Sequence, residues 1–281
     1  MKPPPPFRIA LVQMHVTPGD VKRNILRARD LIHRAADGGA QVVVLPEALD
    51  CGWTHPSARE LATPIPDGPT YFKIAARALE LGVYVCFGMT ERRGDRVYNA
   101  AVLVSPAGDL LLHHRKLNEL DIAHDLYDQG NHLGTARTPL ATVGLMICAD
   151  GFAAGHVVSR TLALMGADVI LSPSAWAVPT DHDNAKAPYG QEWRECYVPV
   201  AREFGLWVVG VSNVGPITGG PWAGRRCIGC SLVIGPGGRE VIQGPYGEDA
   251  ETVLHVDVQP HRRDARGSGW TNVPGGSAPA S

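Results

Sequence analysis

Short β-branched runs alternate with stretches of helical period along most of the chain. Phe7-Arg8-Ile9-Ala10-Leu11-Val12 predicts a strand over about 7–14, and Val21, Ile25, Leu31 and Ile32 make an apolar stripe on a helix over about 20–36. Thr17-Pro18 and Gly38-Gly39 bracket that helix as start and stop signals. Val42-Val43-Val44-Leu45 reads as a second strand, followed by a Pro-rich loop, a helix over 70–81 and a strand over 83–87. Two further strands, 97–104 and 110–116, are joined by the turn Pro106-Ala107-Gly108-Asp109.

After a polar loop over 117–139 the same order starts again. Strands at 143–147, 168–171 and 206–211 alternate with helices at about 154–165 and 189–204, and a hairpin pairs 231–234 with 240–242 across Gly235-Pro236-Gly237-Gly238. Two β-α-β-α-β-β-β halves each leave one sheet face apolar. The simplest closure packs those faces together under outer helices, so the expected fold is α/β, a four-layer α-β-β-α sandwich. We read residues 1–281 as one domain, with a core over about 7–258 and a Gly-, Pro- and Ser-rich tail from about 262.

Composition narrows the function classes. The 44% hydrophobic content suffices for a large core, while 26 Lys and Arg nearly cancel 28 Asp and Glu. No broad field exists to hold nucleic acid or an anionic membrane, so a small molecule is the expected partner. No apolar run approaches the ~18 residues of a membrane helix, and the N-terminus lacks a signal-peptide core, which predicts a cytoplasmic protein. Its six cysteines are then expected to be free thiols.

Three reactive side chains stand just past predicted strand ends: Glu47, Lys116 and Cys148. Open α/β sheets gather ligand sites at such ends, so the three can converge despite their separation in sequence. Singly, each has a plain structural reading: a core thiol, a loop carboxylate, a charge on a solvated edge. Together they form a nucleophile, a base and a cation. Cys148 runs into Ala149-Asp150-Gly151-Phe152, a predicted strand-to-helix turn where a helix N-terminus lowers the thiol pKa and backbone N–H groups receive an oxyanion. Cys227-Ile228-Gly229-Cys230 has metal-ligand spacing but no second Cys or His pair, and is read as structural thiols. No phosphate loop or dinucleotide fingerprint occurs, and no cofactor is expected.

Leu45-Pro46-Glu47, Arg115-Lys116-Leu117 and Gly144-Leu145-Met146-Ile147-Cys148-Ala149-Asp150 resemble the Glu, Lys and Cys motifs of the nitrilase, or carbon–nitrogen hydrolase, superfamily. Gly166 to Leu171, Pro173-Ser174-Ala175-Trp176, Ser212-Asn213 and Gly229-Cys230-Ser231 extend the similarity to about residue 258. The resemblance implies the same sandwich and a thioester mechanism. Glu47 is the base, Lys116 the cation on the intermediate, and the Ala149 N–H an oxyanion donor. It also implies a homodimer or larger even assembly, helped by Tyr197, Val198, Val200, Phe204 and Trp207 near the last helix.

The family's second glutamate has no counterpart five to seven residues before Gly130, where Ala123, His124 and Asp125 stand. Asp125 is the favoured substitute, with Glu119 behind it. Ala149-Asp150 after the nucleophile resembles the amide- and carbamoyl-cleaving branches, with Asp150 expected to anchor the turn. Gly151-Phe152, where carboxylate-binding members often carry Arg, and the Asp181, Asp183, Lys186 and Glu192 loop lean toward a neutral or amine-bearing substrate. The alternatives are a nitrile-cleaving or acyl-transferring enzyme on the same residues, a Cys-His hydrolase using His156, and a binding module that keeps only the fold.

Overall fold

A computed structural model describes residues 4–261, so the predicted tail over 262–281 lies outside the described residues. The first half runs β1 (Phe7–Gln13), α1 (Val21–Asp37), β2 (Val42–Val44), a short α2 (Ala58–Leu61), α3 (Pro69–Leu81), β3 (Tyr84–Arg93), β4 (Arg96–Val104) and β5 (Leu110–Arg115). α1 starts where the Asp20 side chain accepts from Arg23 N at 3.0 Å, and it turns Ile25, Ala28, Leu31, Ile32 and Ala35 inward. Pro69 opens α3 and Gly82, at φ 66°, closes it.

The second half runs β6 (Thr135–Arg137), β7 (Thr142–Leu145), α4 (Val157–Leu164), β8 (Val169–Ser174), β9 (Ala177–Val178), α5 (Gln191–Phe204), β10 (Trp207–Ser212), β11 (Val214–Pro216), β12 (Arg226–Ile228), β13 (Leu232–Ile234), β14 (Glu240–Gln243) and β15 (Thr252–Val258). Among the described residues these form two six-stranded sheets, ordered β15-β1-β2-β3-β4-β5 and β14-β13-β10-β8-β7-β6, and a small third sheet, β11-β12-β9. The fold is mixed α/β with helix-flanked sheets, as the repeat predicts. β1 contacts β10, β3 contacts β8 and β4 contacts β7, so the large sheets meet at a shared core. Alternation in β1 sends Ile9 and Leu11 into that core and Ala10 and Val12 toward α1 and α3.

Several boundaries moved. β3 continues to Arg93 because its charged end, Thr90-Glu91-Arg92-Arg93, pairs antiparallel with β4. α4 starts at Val157 instead of about 154, since Gly155 (φ 66°) and His156 (φ 55°) break the chain ahead of it. β15, absent from the sequence prediction, crosses to pair antiparallel with β1 and ties the chain's end to the first sheet. Tyr197, Val200 and Trp207 are buried, and Val198 and Phe204 pack against the core, so the expected surplus of apolar surface on α5 is absent.

Candidate active site

Glu47, Lys116 and Cys148 come together in the interior, exposed by only 1%, 1% and 9%. Glu47 leaves the end of β2, and its N–H donates to Ser174 O at 3.2 Å, at the end of β8 in the other sheet. Gly88 makes room: a Cβ there would stand 2.6 Å from Glu47 Cα. Lys116 follows β5 and donates its backbone N–H to Asn99 O at 2.9 Å. Gly130 in turn donates to Lys116 O at 2.8 Å, in a contact where any side chain would strike the Arg115 carbonyl.

The Lys116 ammonium lies 2.8 Å from Glu47 Oε1 and 3.1 Å from Glu119 Oε1. Glu119 therefore takes the place expected of Asp125. The structure does not bring Asp125 to the site: it is exposed, and its backbone carbonyl accepts from Arg59. The 3₁₀ turn over Asp121–Ala123 carries the chain outward, whereas Glu119, three residues past Lys116, still points inward. Asn99, which the sequence reading passed over, donates Nδ2 to Glu47 Oε1 at 2.6 Å and to Glu119 Oε2 at 3.2 Å. A polar residue inside the apolar run Val97 to Val104 was the available signal. Trp53 also went unnoticed; its ring lies 5.6 Å from Lys116 Nζ.

Cys148 opens a 3₁₀ turn, Cys148–Phe152, in the left-handed region at φ 43°. Asp150 fixes this turn as expected. Its Oδ2 accepts from Ile147 N at 2.9 Å and bonds His114 Nε2 at 2.7 Å, while Oδ1 accepts from Leu117 N and Asn118 N at 3.0 and 2.8 Å. One carboxylate thus locks the Cys148 turn to the segment that follows Lys116. Burial alone would raise the Asp150 pKa, but His114 and the N–H donors bring it below the usual carboxylate value.

The expected lowering of the thiol pKa by a helix N-terminus is not what the structure gives. α4 begins nine residues on, and burial and the Glu47 charge push the Cys148 thiol well above its ordinary value. Lys116 and the Ala175 N–H pull the other way without offsetting them. Burial would depress the Lys116 ammonium, but Glu47 and Glu119 hold it well above the usual lysine value. Glu119 is raised by burial, with Lys116 opposing. Burial and charge thus favour the protonated form of both the Cys148 thiol and the Lys116 ammonium.

His156 does not pair with the thiol; its Nδ1 lies 3.4 Å from Gly151 O, so the site has no Cys-His couple there. Cys227 and Cys230 are buried free thiols, and all six cysteines are free. Among the described residues no group of three or more His, Cys, Asp or Glu could hold a metal ion, and no helix is long and apolar enough to cross a membrane. Lys186 pairs with Asp183 at 3.2 Å on the surface, so that loop's charges are partly satisfied among themselves.

The chain resembles known proteins in sequence and in fold. A nitrilase from Pyrococcus abyssi is 32% identical over 256 residues, 89% of this chain and 90% of that one. An omega-amidase of Danio rerio is 32% identical over 62% of this chain and 65% of its own. In structure, a variant of the amidase from Nesterenkonia sp. AN1, showing covalent addition of the acetamide moiety of fluoroacetamide at its active-site cysteine, matches with a TM-score of 0.75 over 90% of both chains at 20% identity. The carbon–nitrogen hydrolase family model matches residues 8–266, and the chain belongs to that family of hydrolases.

Proposed function

We propose that this hydrolase cleaves the carbon–nitrogen bond of a small amide or N-carbamoyl compound through a thioester on Cys148. The carrying observation is the convergence of a buried thiol, Cys148, with a buried carboxylate, Glu47, whose Oε1 lies 2.8 Å from the Lys116 ammonium. Glu47 takes the thiol proton as sulfur attacks the carbonyl carbon, and Lys116 with the Ala149 N–H receives the developing oxyanion. The carbon–nitrogen bond then breaks, and the proton on Glu47 passes to the departing amine. Glu47 next accepts a proton from water as that water attacks the thioester, and returns it to the sulfur. Glu119 supplies the second carboxylate on Lys116.

The substrate is neutral or amine-bearing in this reading, since Gly151 and Phe152 follow the nucleophile turn where a carboxylate would call for an arginine. The working protein is a single hydrolase unit in the cytoplasm, with no cofactor, assembled as a homodimer or a larger even-numbered oligomer. Phe152, Val157 and Leu164, at 41%, 55% and 38% exposure, support a second copy on the α4 side. A matched series of primary amides and nitriles on the same carbon skeletons tests the reaction class. We expect kcat/KM to favour the amide by at least tenfold, about 1.4 kcal/mol of differential stabilisation. A consistent preference for the nitrile would move the enzyme to the nitrile-cleaving branch.

A further inference from the structure

Asn99 belongs to no reactive group, yet its side chain sits between the two carboxylates of the site. Its Nδ2 reaches Glu47 Oε1 at 2.6 Å and Glu119 Oε2 at 3.2 Å, so the two amide hydrogens serve two acceptors. The amide orientation follows from chemistry, because the flipped rotamer would place a carbonyl oxygen against both carboxylates. Lys116 bridges the same pair from its own position, at 2.8 Å to Glu47 Oε1 and 3.1 Å to Glu119 Oε1. Two donors therefore converge on Glu47 Oε1. The other oxygen, Glu47 Oε2, is buried without a directed hydrogen bond.

That asymmetry bears on the reaction. An oxygen that already accepts from an ammonium and an amide is a poor site for a further proton, whereas its partner has its lone pairs free. We infer that Asn99 is a positioning residue that, with Lys116, occupies Glu47 Oε1 and so reserves Glu47 Oε2 for the proton exchanged with Cys148, the amine and the water. The inference rests on Glu47 being the base. Asn99 also lets Glu119 stay beside Glu47 without a second cation, since its hydrogen bond favours the ionised form of Glu119. Its backbone serves the same site: Asn99 O accepts from Lys116 N, so one residue sets both the ammonium's strand position and the carboxylate's rotation.

The test uses the full chain with Asn99→Leu, which keeps the branched shape and removes both donors, and Asn99→Ser, which keeps one. Activities are normalised to folded enzyme. Proton transfer of this kind is worth roughly 10²–10⁴-fold, so misdirecting it should cost about 30-fold in kcat for Asn99→Leu, with KM within about threefold. Asn99→Ser should fall between that variant and the parent. The rate of Cys148 alkylation by iodoacetamide, which needs the same proton transfer as sulfur displaces iodide, should fall in parallel. A residue that only supports the fold would lower the melting temperature and leave both rates per folded molecule unchanged. That result, or a kcat within threefold of the parent for Asn99→Leu, overturns the inference; if Asn99→Leu does not fold, Asn99→Ser is judged by the same criterion. Glu47→Gln is the separate control: if it turns over normally, the base assignment itself fails, whatever Asn99 does.

Discussion

Two charged clusters meet at neighbouring residues, Tyr98 and Asn99 on β4 and Arg115 and Lys116 at the end of β5, and they are balanced differently. On one face of the β3-β4-β5 hairpins, Arg115 grips Glu91 with two hydrogen bonds, at 2.7 and 2.6 Å, and lies 4.2 Å over the Tyr98 ring, while His113 adds a third contact at 2.8 Å. On the other face, the next residues along, Asn99 and Lys116, serve Glu47 and Glu119. Strand alternation sends neighbouring residues to opposite faces, so adjacent positions acquire unrelated work. In the first cluster one carboxylate is matched by a guanidinium in bidentate geometry with every oxygen engaged. In the second, two carboxylates share one ammonium, and an oxygen of Glu47 is left without a directed bond. The balanced cluster reads as a support, and the unbalanced one beside the thiol is the one we propose exchanges protons.

Neutralising one glutamate in each cluster separates the two kinds of site. Glu47→Gln should lose about 10³-fold in kcat, since both half-reactions need the proton transfer, while substrate still binds. Its melting temperature should hold or rise, because Lys116 keeps Glu119 as a balanced partner. Turnover near the parent level would remove Glu47 from the chemistry.

Glu91→Gln should do the reverse, with kcat within about threefold and a stability loss of about 3 kcal/mol from the uncompensated Arg115. Its pH signature is specific. Burial alone would raise the Glu91 pKa, yet Arg115 and His113 bring it down from 4.5 to about 2. A depressed carboxylate contributes stability that is complete above 4.5 and disappears as pH falls toward 2. The parent should therefore lose stability across that window by this contribution, and Glu91→Gln should show a flatter profile there. Equal slopes for the two proteins in denaturant titrations would show that the pair contributes nothing on folding.

The comparison also explains what could be read from the sequence. Glu47, Lys116 and Cys148 follow strand ends in a repeated β-α pattern, and those local signals placed them together. The second carboxylate depended on whether the chain turns outward before or after residue 121, which a polar loop does not encode by periodicity. The family spacing before Gly130 favoured Asp125, whereas Glu119 is the carboxylate that reaches Lys116. The thiol's raised pKa escaped for a related reason: burial and the Glu47 charge act through tertiary packing, whereas the anticipated helix N-terminus was a local guess that Gly155 and His156 displaced. β9, β11 and β12 are two or three residues each, too short for an alternation pattern, and β15 pairs with a strand at the far end of the chain.

The central claim is that Cys148 carries the acyl group. Ammonia release from a primary amide by Cys148→Ala, set beside mass mapping of the parent enzyme quenched during turnover, tests it most directly. We predict an acyl mass increment on the peptide containing Cys148, and a loss of at least about 10³-fold in turnover for Cys148→Ala with its fold intact, because alanine fills the same small site. Turnover by Cys148→Ala above a few per cent of the parent, or an acyl increment on any other side chain, would contradict the account.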